Sequence, residues 1–115
     1  LIPVPLHRRK EKKRGFNQSE WIARGIAEVL KKPVDNETLY RRVFTSTQTK
    51  RNRFERWQNV ENVFGLNNSK ILENKHILLV DDVVTTGATL EACALHLLKL
   101  PGTKVSIATL AFADI

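Results

Sequence analysis

The residues best equipped for chemistry fall in one stretch, "ILLVDDVVTTGAT", from Ile77 to Thr89. Four apolar residues, Ile77 to Val80, run straight into two adjacent carboxylates, Asp81 and Asp82. Like charges side by side repel and resist burial, so something must reward their place at the end of a buried-looking strand. A bound ligand is the first suspect. Two aliphatic residues follow, then Thr85, Thr86, Gly87, Ala88 and Thr89. Hydroxyls and backbone N–H groups at the head of a helix make an anion site. Gly87 lets the backbone approach a phosphate closely. The two carboxylates cannot help hold a phosphate, but they accept hydrogen bonds from neutral hydroxyls or sit near a cation. Phosphate on one side and a diol on the other describes a sugar phosphate, and ribose 5-phosphate fits. An Asp pair after a strand can also simply cap the next turn; it is the complete run that favours the ligand.

The charge of the chain is uneven. Among 115 residues the net charge is +7. Residues 1–58 carry 15 Lys/Arg and 6 Asp/Glu, a balance of +9, while residues 59–115 carry 4 and 6, a balance of −2. The densest segment is "HRRKEKKRG", His7 to Gly15. A basic half suits an anionic partner, nucleic acid or a polyphosphate, although a plain solvated basic surface has the same composition. The single Cys93 excludes an internal disulfide and any multi-cysteine metal site in this chain, and fits a reducing compartment, the cytoplasm. No apolar run approaches the ~20 residues of a membrane span. No signal peptide is visible, and the absence of Met suggests a piece of a longer protein. His7, His76 and His96 have no spacing for a metal.

These groups need elements to hold them. Ile2 to Leu6 reads as a strand whose prolines, Pro3 and Pro5, place it at a strand start or a sheet edge. The basic segment is a loop. Asn17 with Glu20 forms a capping box, and Ile22, Ile26, Val29 and Leu30 give the following helix its apolar face, ended by Pro33. Strands are expected over Leu39 to Phe44 and Val63 to Leu66, with loops over Thr45 to Asn59 and Asn67 to Asn74. Ile77 to Val80 reads as a central strand covered on both faces. A helix from Ala88 to Leu100, carried by Leu90, Ala94, Leu97 and Leu98, stops at Pro101-Gly102, and Lys104 to Phe112 is a strand. This strand–helix–strand unit signals an α/β fold: a mainly parallel sheet flanked by helices, with the Asp pair in the turn after Val80.

"ILLVDDVVTTGAT" resembles the phosphoribosyl diphosphate (PRPP) motif of type I phosphoribosyltransferases. "RGFNQ" at Arg14 to Gln18 and "TQTKRNRFERWQNV" at Thr47 to Val60 are similar to stretches of the competence protein F (ComF) branch. The resemblance runs over nearly all of residues 1–115, as one phosphoribosyltransferase-like domain. ComF proteins usually carry a zinc ribbon with paired cysteines; this sequence resembles their catalytic domain alone. The resemblance implies that Asp81 and Asp82 contact the ribose hydroxyls and act at the reacting centre. It implies that Thr85 to Thr89 bind the 5-phosphate. It gives pyrophosphate to the loop of His7, Arg8, Arg9 and Arg14, where Arg forks onto two oxygens and Lys acts as a point charge. It makes Thr45 to Asn59 a flexible loop that closes over the site, with Gln48, Lys50, Arg51 and Arg53 in reach of pyrophosphate. Mg²⁺ is the implied cofactor, held through the ligand near Asp81 and Asp82 rather than by side chains directly. The acceptor is not legible.

Three other readings compete. "ILLVDD" also resembles the start of a phosphorelay receiver, but a receiver needs a third Asp on a later strand end, and only Asp114 follows. The basic half could bind DNA, single-stranded DNA included, since ComF proteins are linked to DNA uptake. A PRPP sensor without turnover would share the same motif. The pyrophosphate assignment has a direct test. Arg8→Ala with Arg9→Ala is expected to weaken pyrophosphate and PRPP in calorimetry and to spare ribose 5-phosphate. Equal losses for all three ligands, or no loss, would remove it.

Overall fold

An apolar run such as Ile77–Val80 needs a neighbour along each edge and cover on each face. The structure is a computed structural model and describes residues 1–5, 17–42 and 63–113. The described elements are β1 (Ile2–Pro3), α1 (Gln18–Leu30), β2 (Leu39–Arg41), β3 (Phe64–Leu66), a 3₁₀ turn at Ser69–Leu72, β4 (His76–Val84), α2 (Ala88–Leu98) and β5 (Lys104–Phe112). The sheet has the order β1-β4-β5, and both ladders are parallel. Ile2 pairs with Leu79 and Pro3 with Val80, so the proline strand lies on a sheet edge, where a missing N–H does least harm. Val4 extends that ladder by donating its N–H to the Val80 carbonyl at 2.8 Å. β2 and β3 form a separate antiparallel pair. The architecture is the expected α/β type.

Side chains alternate along β4. Ile77 and Leu79 join a core with Leu90, Cys93 and Leu97 of α2, together with Ile2, Leu39 and Phe64. Val80, on the opposite face by that alternation, is buried outside this cluster, as are Ala23 and Ala27 of α1, which packs on β1 and β4. The two helices thus cover opposite faces. Burying one such aliphatic fully contributes about 1.5–3 kcal/mol.

The structure corrects three expectations. β4 does not stop at Val80 but runs through both carboxylates to Val84, because β5 continues the ladder with Asp81 opposite Thr109 and Val84 opposite Phe112. Glu20 does not close a capping box. Its carboxylate instead accepts from Arg24 at 2.8 Å and from Asn36 at 2.6 Å. α1 buries Ser19 and its small residues Ala23 and Ala27, while Val29 is 80% and Leu30 53% exposed. The helical period was right and its phase was off by one position: small side chains let the helix lie close to the sheet. Elsewhere the elements are shorter than expected. α1 ends at Leu30 with Lys31 in the left-handed region, φ 56°. α2 ends at Leu98 rather than Leu100. The expected ends at Leu6 and Phe44, and the loops 7–15 and 45–59, lie outside the described residues.

Asn17 does cap α1. Its Oδ1 accepts the Ser19 N–H at 2.9 Å, and its Nδ2 donates to the Val4 carbonyl at 3.1 Å in a buried setting. One side chain therefore ties the helix head to the end of β1. Asn17→Ala is expected to lower unfolding stability by about 2 kcal/mol, since it removes a cap and strands a buried carbonyl. Urea denaturation measures it, and a loss under about 0.5 kcal/mol, as at an ordinary surface position, would contradict the joint.

Candidate functional site

The carboxyl ends of β1 and β4 meet the head of α1 at a cavity of about 260 Å³. In open parallel sheets this is the end where ligands bind. Asp81, Asp82, Asn17, Ser19, Arg41 and Thr89 are among the residues that line it. Successive strand residues point to opposite faces, so the two carboxylates start from one strand yet do not stand parallel, and both reach the cavity. Asp81 Oδ1 accepts from Ser19 Oγ at 3.0 Å and from the Asp82 N–H at 2.9 Å. Asp82 Oδ1 accepts from the Val83 N–H at 2.7 Å. Burial pushes the Asp81 carboxyl above its ordinary value, the bonds from Asp82 N–H and Ser19 oppose this, and the Asp82 charge adds a smaller upward push. The repulsion expected from the sequence is real but secondary to burial.

Beyond Val84 the chain bends through Thr85, Thr86 and Gly87 into α2. Gly87 has φ 83°, a left-handed conformation that side chains resist, and a Cβ built there would meet nothing within 4 Å. Thr86 Oγ1 accepts from the Ala88 N–H at 3.3 Å. Thr85, Thr86, Ala88 and Thr89 are exposed, so the turn presents open space, hydroxyls and the amides of a helix start. Arg41, over the Phe64 ring at 5.9 Å, brings positive charge to the same cavity. Cys93 lies fully buried beneath, its thiol pushed up to about 12 by burial and by Asp81, with Arg41 opposing. Such a thiol is inert.

The structure therefore brings Asp81, Asp82 and Thr89 together, with the rest of the turn alongside. His7, Arg8, Arg9, Arg14, Gln48, Lys50, Arg51 and Arg53 lie outside the described residues. Sequence reasoning did not single out Ser19 or Arg41, and it gave Asn17 only a helix cap. A larger groove, about 1420 Å³, opens at the other end of the sheet beside His76, Ile77 and Leu78. It is remote from the Asp pair and at the amino end of β4, so it is not the site that these carboxylates serve. Among the described residues no helix is long and apolar enough to cross a membrane.

The site thus joins an acidic pair and an open glycine turn at the carboxyl end of one strand of a parallel α/β sheet. The profile of the phosphoribosyl transferase domain family matches residues 13–114, and the chain belongs to that family. Its relatives bear out the resemblance to the ComF branch. The chain is 35% identical over 114 residues to competence protein F of Haemophilus influenzae, which covers 98% of this chain and 50% of that protein. It is 36% identical over 99 residues to the DNA utilization protein YhgH of Escherichia coli O157:H7, covering 86% of this chain and 43% of that one. It is 37% identical over 99 residues to competence protein ComFC of Bacillus subtilis, covering 86% and 38%. The chain thus spans about half the length, or less, of these relatives. No solved structure matches it.

The raised Asp81 carboxyl makes a pH prediction. A carboxyl raised in the folded state favours folding only when protonated, so the ionised form weakens the fold at neutral pH. Asp81→Asn keeps the shape and an acceptor oxygen without the charge. The variant is expected to melt at or above the unaltered protein at pH 7. Its advantage should shrink as pH falls through the raised value toward the ordinary 3.8. Thermal melts across that range check it, and a clearly lower melting temperature at pH 7 would contradict it.

Proposed function

We propose that this domain binds PRPP and transfers its phosphoribosyl group to an acceptor. The observation that carries the reading is the shared cavity of Asp81, Asp82 and Thr89 at the head of α2, beside an open left-handed glycine turn. In this reading the Asp81 and Asp82 carboxylates accept from the two ribose hydroxyls. Thr85 to Thr89 surround the 5-phosphate, with Gly87 leaving room for it. Arg41 adds positive charge toward the anionic ligand. His7, Arg8, Arg9 and Arg14 take the pyrophosphate, and Gln48, Lys50, Arg51 and Arg53 close over it.

The reaction breaks the bond from ribose C1 to pyrophosphate, and the electron pair leaves on pyrophosphate. A nucleophile on the acceptor forms the new bond to C1 and gives up its proton. Positive charge grows on the ribose ring in between, and two fixed carboxylates at its hydroxyls favour that charge. The remainder of the rate comes from holding both reactants in line. Among the described residues no group of three His, Cys, Asp or Glu could hold a metal ion. In this reading Mg²⁺ is held through the ligand near Asp81 and Asp82, and when bound it would offset charge on the departing pyrophosphate.

A second reading has its own support. One relative is named a DNA utilization protein, and residues 1–58 carry a balance of +9. In that reading the basic half grips DNA phosphates. Calorimetry with PRPP and Mg²⁺ tests the first reading, on the unaltered chain and on Gly87→Val. PRPP and ribose 5-phosphate are expected to bind the former and to lose affinity together, by roughly tenfold or more, in the latter, because a branched side chain fills the turn. Normal binding of both ligands by a folded Gly87→Val would overturn the phosphate assignment. Release of pyrophosphate across an acceptor screen separates a transferase from a PRPP sensor. A salt-steep electrophoretic shift with DNA that PRPP leaves unchanged would favour the second reading.

A further inference from the structure

We infer that Ser19 is a positioning residue for Asp81, fixing the orientation of its carboxylate toward the ligand cavity. The inference rests on the reading of Asp81 as a ligand-binding group. Ser19 is the second residue of α1 and is 4% exposed. It belongs to the face of α1 that otherwise buries Ala23 and Ala27, where alanine would pack as well. A hydroxyl in such a place costs stability unless it is bonded. Here it donates to Asp81 Oδ1 at 3.0 Å, across 62 positions of sequence.

The residue is fixed from both sides. Its N–H is held by Asn17 Oδ1 at 2.9 Å, and Asn17 in turn holds the Val4 carbonyl at 3.1 Å. Val4 donates to Val80, the residue before Asp81, at 2.8 Å. The circuit leaves β4 at Val80, passes through β1 and the head of α1, and returns to β4 at Asp81. Ser19 Oγ and the Asp82 N–H both engage Oδ1, which sets the plane of the carboxylate. The carboxylate so held opens on a cavity that Ser19 and Asp81 line together. The other charged or titratable groups near Asp81 among the described residues are Asp82 on β4, Arg41 on β2 and Cys93 on α2.

Ser19→Ala removes one oxygen and keeps the packing. The first measurement needs no ligand: the pH titration of the Asp81 carboxyl carbon by NMR, assigned by comparison with Asp81→Asn. The Ser19 bond favours the ionised form, so its loss is expected to move the Asp81 midpoint upward. A Ser19 that only packs would leave the midpoint in place, and that result overturns the inference. The second measurement is PRPP affinity with Mg²⁺, expected to fall about tenfold, the worth of one charge-assisted hydrogen bond, in a variant that still melts cooperatively. A shifted midpoint with unchanged PRPP affinity would also overturn the inference, because the carboxylate's alignment would then not matter to the ligand. If the midpoint shifts but even the unaltered chain takes neither PRPP nor ribose 5-phosphate, Ser19 still positions Asp81 and it is the proposed ligand that fails.

Discussion

β4 has to pass from full burial to charge between two consecutive residues. Val80 is 0% exposed, and Asp81 follows it. That constraint orders the rest of the structure. The strand must be central, because Leu79 and Val80 need cover on both faces. Its carboxyl end must also open, because a carboxylate cannot stay ionised in a dry core. The open end is where the cavity lies. The charges are thus consequences of position along one strand: one residue earlier, the first would take the fully buried place of Val80.

A half-buried carboxylate can be supported by opposite charge or by hydrogen-bond donors. Asp81 relies on donors, a hydroxyl and a backbone amide, both within 3.0 Å. Donors of that kind hold an orientation without filling the site with a counter-ion, so the carboxylate stays usable by a neutral hydroxyl. Arg41 stands on the same cavity wall without an ion pair to either Asp among the described contacts. Its charge therefore faces the cavity without clamping the acids.

What could be read from the sequence was what a single strong local pattern carries. The apolar run before Asp81 announced the central strand, Pro3 and Pro5 announced the edge, and Pro101-Gly102 marked the turn after α2. The turn at Gly87 was legible because left-handed backbone and close approach both call for glycine. The buried face of α1 was not, since Ile22, Ile26, Val29 and Leu30 outweigh Ala23 and Ala27 on any hydropathy scale. Only the closeness of the sheet below chooses the smaller residues. The length of β4 escaped for a similar reason: carboxylates are poor strand formers, and it is β5, far along the chain, that keeps Asp81 and Asp82 extended. Ser19 was invisible because its partner is 62 residues away. A serine near a helix start reads as part of the cap.

The same separation has a kinetic side. β4, α2 and β5 are contiguous in sequence and can assemble as one local unit. β1 pairs with β4 only by closing a loop from Ile2 to Leu79, and contacts so far apart are the ones that slow folding. The turn at Gly87 belongs to the local unit, whereas the Ser19–Asp81 contact joins it to the head of α1, 62 positions away. A partly folded chain would therefore carry a finished turn beside an unaligned carboxylate. The alignment of that carboxylate then reports whether β1 and the head of α1 have met β4.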